Sequence, residues 1–113
     1  RKLYRVLADY FQVDYSPLDT DIICPGGNGG CFTSKAFTLD GLLHIPTTLP
    51  FEEPLRFGCP PHRLLEFWQP NLDWLYANRG DIVVNTHPEP HFSGNPGALA
   101  TYEQLLKVLN ERT

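Results

Sequence analysis

The chain has 113 residues, of which 42% are hydrophobic and 19% charged, the make-up of one globular domain with a single core. Thirteen acidic against nine basic side chains give a formal net charge of −4, so no basic face is available for a phosphate backbone and nucleic acid is not an expected partner. No apolar run approaches the roughly 20 residues of a membrane span, and no signal peptide is recognisable. Arg1 opens a chain with no methionine, which predicts a natural start upstream.

Residues 1–11 place Leu3, Val6, Leu7 and Tyr10 at the i, i+3, i+4, i+7 spacing of an amphipathic helix with one buried face. Residues 12–15 read as a short strand, stopped at Ser16-Pro17 because proline cannot donate to a ladder. Asp19 and Asp21 admit a metal reading, although acids so placed more often hydrogen-bond a loop. The glycine-rich loop between Cys24 and Cys31 lacks both the Walker ending and the GxGxxG spacing, so it reads as a surface excursion and not a phosphate cradle. A disulfide closing that loop is sterically feasible. With Cys59 the cysteines number three, which excludes a complete disulfide framework and makes reduced thiols the simpler reading. No CxxC pair is present to hold zinc.

Residues 36–39 read as an extended segment before an Asp40-Gly41 turn, and residues 42–46 as a strand that is apolar apart from His44. Residues 47–60, with Pro50, Pro54 and Pro60, read as a long connection of the kind that rims binding sites, with Glu52 and Glu53 solvated in it. A helix begins at Pro61 and carries Leu64, Leu65, Phe67 and Trp68 on its apolar side. Pro70 should interrupt it, with a second piece holding Leu72, Leu75 and Tyr76 and ending near Gly80. Residues 82–84 are β-branched and bounded by turn residues, so they read as a buried strand. Asn95 as N-cap and Pro96 behind it announce a last helix whose face is Leu99, Tyr102, Leu105, Leu106 and Leu109.

This alternation argues for one α/β domain over residues 1–113 with mostly parallel strands, those around Val13, Leu43 and Val83 lying side by side in one sheet. Three or four strands are few for a closed barrel, which leaves a small open sheet or part of something larger. After residue 84 the chemistry turns from apolar to His87-Pro88-Glu89-Pro90-His91. Buried strands that deliver titratable groups at their carboxyl ends are how α/β folds build active sites, which makes His87 the first candidate.

Three short motifs, taken in order, resemble a known family. Asp14-Tyr15-Ser16, then Leu42-Leu43-His44-Ile45-Pro46-Thr47-Thr48-Leu49-Pro50, then Asp81-Ile82-Val83-Val84-Asn85-Thr86-His87-Pro88 look like the C-terminal half of a polysaccharide deacetylase of the fourth carbohydrate esterase family. The resemblance covers most of the chain. It implies a partial (β/α) barrel with flanking helices, and divalent-metal-dependent hydrolysis of N- or O-acetyl groups on an acetylated carbohydrate. It also implies that the zinc-like metal is held by early motifs that this chain does not contain and that would lie upstream of Arg1. On the matching positions His87 would be the general acid, with Thr86, Glu89, His91 and Leu49 as substrate contacts. The partner would be the missing N-terminal half or a second copy of the chain. One departure is Asn85, which stands where the family has leucine two positions before the histidine.

Two other readings stay open. In an extended conformation His87, Glu89 and His91 share one face and could hold a metal of their own. Pro88 and Pro90, however, favour the three-fold polyproline helix, in which such residues diverge. Alternatively, Phe51, Phe57, Trp68 and Trp74 could bind sugar rings or a protein without catalysis, which turns on whether they line a groove or fill a core. His44, His62, His87 and His91 fall on separate segments, and a catalytic zinc needs about three ligands on rigid elements. In the deacetylase reading the chain by itself is therefore expected to be inert.

Overall fold

The computed structural model describes residues 2–15, 34–92 and 94–112. The Ser16-Pro17 stop, the Asp19 and Asp21 pair and the Cys24 to Cys31 loop lie outside them. In chain order the elements are α1 (Lys2–Ala8), β1 (Val13–Asp14), β2 (Phe37–Leu39), β3 (Leu42–His44), β4 (Leu49–Pro50), α2 (Leu64–Ala77), β5 (Val84–Asn85) and α3 (Pro96–Glu111). Two 3-10 turns, Glu53–Phe57 and Pro61–Arg63, lead from β4 into α2. No helix among the described residues is long and apolar enough to cross a membrane.

The partial barrel does not form. β1, β3 and β2 make a mixed three-stranded sheet in which β1 runs parallel and β2 antiparallel to β3. β4 and β5 make a separate parallel pair. Val13 and Leu43 are register partners as expected, but the strand after Val83 belongs to the other sheet. A barrel needs about eight tilted, staggered strands in one closed ring, and strands of two or three residues in two separate sheets cannot supply it.

Local signals succeed where the chemistry is local. Asp40 and Gly41 both take positive φ, 51° and 83°, giving the two-residue turn whose twist suits the β2–β3 hairpin. Asn95 caps α3 by accepting from the Gly97 N–H at 2.9 Å, and Pro96 follows where its missing N–H does no harm. The end of α2 is a full Schellman motif: the Gly80 N–H reaches the Leu75 carbonyl at 2.9 Å and the Arg79 N–H the Tyr76 carbonyl at 3.4 Å. The left-handed residue there is Arg79, at φ 54°, while Gly80 is needed for space, since a Cβ would sit 2.6 Å from Leu75 Cδ2. Arg79→Gly is therefore expected to raise stability by about 0.5–1 kcal/mol by relieving the left-handed penalty. A fall in the urea midpoint would show instead that the arginine side chain stabilises the fold.

Packing overrides several sequence expectations. α2 is one helix through Pro70, because Leu64, Trp68, Leu72 and Leu75 bury a continuous stripe on both sides of it. The proline ring is exposed, and its position loses only one backbone bond. The core consists of Leu49, Phe51, Leu64, Trp68, Leu72, Ala98 and Leu105, with Ile82 and Val84 half-buried at its margin instead of central. Val83 is half-buried as well. α3 turns Ala98, Thr101 and Leu105 inward and leaves Leu99 and Leu106 largely exposed. Gly97 lies close to Pro61: a Cβ there would be 3.2 Å from Pro61 Cβ, tighter than ordinary contact. α1 ends at Ala8; Leu3 within it and Tyr10 beyond it are 66% and 78% exposed, and the helix instead touches β3 through Tyr4, whose ring meets that of His44 edge-on at 4.6 Å.

Candidate functional site

The site grows out of the β4–β5 pair. Thr48, buried, aligns it: its hydroxyl donates to the Asp81 carbonyl at 2.8 Å and accepts the Val83 N–H at 2.8 Å. The Val83 carbonyl takes the N–H groups of Thr48 and Leu49, and the Asn85 carbonyl takes that of Phe51. Leu49 then partners Val84 and Pro50 partners Asn85. Two residues beyond each strand, Glu52 and His87 meet at the same 35-residue offset, with His87 Nδ1 bonded to Glu52 Oε1.

Burial of this pair is uneven. The Glu52 side chain is 4% exposed and that of His87 47%. A carboxylate offers only lone pairs, so Nδ1 is the donor, and the second ring nitrogen, Nε2, is not engaged by Glu52. Burying a carboxylate is costly unless it is paired and hydrogen-bonded, which accounts for an imidazole at this place. The backbone below Glu52 is pinned from the core, because Trp68 Nε1 donates to the Phe51 carbonyl at 2.9 Å. Phe92 packs beside the imidazole with ring centres 5.7 Å apart.

The other expected site residues fall in different places. Thr86 is half-buried next to His87, whereas Glu89 and His91 are exposed beyond it. Leu49 is fully buried in the core and presents no surface to a substrate. The chain does not stay extended past His87: the N–H groups of Phe92 and Gly94 both bond the Glu89 carbonyl, at 2.9 and 3.0 Å, which makes a turn. His91 therefore lies within the turn and does not continue an extended segment from His87. Among the described residues no group of three or more His, Cys, Asp or Glu side chains could hold a metal ion. Of the four aromatics, Phe51 and Trp68 are core and Phe57 and Trp74 are exposed on different elements. Cys59 is a free, half-buried thiol whose pKa burial pushes up, which disfavours the reactive thiolate.

Glu52 escaped the sequence reading, which left it solvated in a loop. The available signal was the uninterrupted apolar run Leu49-Pro50-Phe51 just before it, the mark of a buried strand disguised by its proline. A second histidine–carboxylate pair sits across the other parallel strands, where His44 Nδ1 lies 3.1 Å from Asp14 Oδ2. Both of its side chains are almost wholly buried, so this pair belongs to packing. No family model, curated protein or solved structure matches the chain.

Proposed function

We propose that the chain carries the proton-transfer part of a polysaccharide deacetylase-like site, acting on N- or O-acetyl groups of a carbohydrate. What supports this is the His87–Glu52 pair: an imidazole just past a strand end, held through one nitrogen by a buried carboxylate, on a side chain that is 47% exposed. The bond to Glu52 holds the ring in one orientation with its proton on Nδ1, so His87 acts as a general acid in the imidazolium form, once Nε2 has taken up the proton it then gives to the leaving group. His87 would protonate the leaving amine or alkoxide as the acetyl group is hydrolysed, and Glu52 would position it. The divalent metal that the resemblance implies finds no ligand set among the described residues, so proton transfer is the step assigned to this chain.

The test is acetate release from acetylated chito- and xylo-oligomers by the full-length protein. His87→Ala is expected to lower kcat by about 10²–10⁴-fold with KM little changed. Glu52→Gln, which keeps the shape and removes the charge, should lower kcat less and displace the pH profile. Acetate release that is absent, or that survives His87→Ala undiminished, would sink the reading.

A further inference from the structure

Beside His87 stands a guanidinium with unused donors. Arg56, in the last turn of the 3-10 segment Glu53–Phe57, lies over the Phe92 ring at 5.3 Å from its centre, and the same ring packs against His87. Arg56 is 54% exposed, and its ion-pair partner is Glu53 at 3.6 Å, beyond hydrogen-bond reach. Among the described residues no hydrogen bond from the guanidinium is found. The guanidinium carbon is held over the ring face, and the side chain as a whole is more than half exposed, which leaves its N–H donors within reach of a ligand. That is a poor arrangement for stability, since a partly exposed i, i+3 pair at this distance is worth little. It is a good one for recognition, because a planar fork held in advance loses less freedom when it pairs with a planar carboxylate.

We propose that Arg56 reads an anionic substituent, and that the glycan recognised beside His87 is an acidic one whose sugar rings carry carboxylates. The inference rests on the carbohydrate reading of the His87 site and narrows its substrate class. Phe92, touched by both side chains, sets Arg56 and His87 within the span of a disaccharide, so a uronate carboxylate can engage Arg56 while a neighbouring ring presents its acetyl group to His87. The net charge of −4 works against a polyanion at long range, which makes a local cation necessary for binding one here. Glu53 competes for the guanidinium only weakly at its distance, and added salt screens the attraction of both.

Calorimetric titration of the 113-residue chain with oligogalacturonate and with a neutral cello-oligosaccharide of equal length decides the matter. The expected result is binding of the acidic oligomer about tenfold or more tighter than the neutral one, weakened by salt. Arg56→Gln should abolish that preference, and Arg56→Lys, which keeps the charge without the fork, should retain part of it. His87→Ala should leave it in place. Equal affinity for both oligomers, binding of neither, or a preference that survives Arg56→Gln would overturn the proposal. Acidic-oligomer binding through Arg56 without acetate release from acetylated oligogalacturonate by the full-length protein would leave the anion site standing and remove the deacetylase reading instead.

Discussion

Replacing Trp68 with alanine is expected to cost about 3–5 kcal/mol, the largest loss from any single side chain here. Trp68 has no exposed surface and is the largest fully buried residue, packed among Leu49, Phe51, Leu64 and Leu72. Its removal takes away apolar burial and leaves a cavity that the paired strands and two helices cannot close. It also strands the Phe51 carbonyl, which the indole N–H satisfies at 2.9 Å. Against a typical total of about 5–15 kcal/mol, the variant should be marginally folded at room temperature. Trp68→Phe separates the two contributions: it keeps most of the volume but not the donor, and should cost about 1–3 kcal/mol. Because Phe51 directly precedes Glu52, the phenylalanine variant should also loosen the His87–Glu52 bond, visible as a shift of the His87 ring signals in an NMR spectrum. Urea unfolding checks the energies, and a Trp68→Ala midpoint within error of the wild type would place the core elsewhere.

Thr48→Val should be the next most damaging change, at about 2–4 kcal/mol, although valine has nearly the same shape. The hydroxyl bridges two backbone groups in one place, giving its proton to the Asp81 carbonyl and accepting the Val83 N–H. Valine leaves both unpaired beside a buried position, and each such group costs about 1–3 kcal/mol. Thr48→Ser restores the hydroxyl and should recover most of the loss. The substitution has a second signature, because β5 is aligned with β4 at this point: amide exchange at Val83 should accelerate in the valine variant and return toward normal in the serine variant. A cost below about 0.5 kcal/mol would mean that water replaces the hydroxyl and that the strand pair is aligned by apolar packing alone.

Both residues lie in stretches that look ordinary in sequence. Thr48 belongs to a proline-punctuated segment that reads as a loop, and Trp68 to an apolar helical face. Their weight comes from what they reach, Asp81 and Val83 in one case and Phe51 in the other. The faces of α1 and α3 show the same limit. Spacing of Leu3, Val6 and Tyr10 or of Leu99 and Leu106 marks an amphipathic helix, but the neighbour decides which side is covered, and here it covers smaller or more polar residues. Gly97 and Thr101 weigh little on a hydropathy scale and yet both lie close to Pro61.

By itself the sequence determined the Asp40-Gly41 turn and the Asn95-Pro96 helix start. Each is written in side-chain–backbone chemistry within about four residues, and no distant partner is needed to form it. The tertiary structure alone decided that the strands divide into two small sheets and not a barrel, that α2 runs through Pro70, and that Glu52 holds His87. Those outcomes depend on segments tens of residues apart finding one register, and register is set by which faces can be buried together, a quantity that no local window of the chain contains.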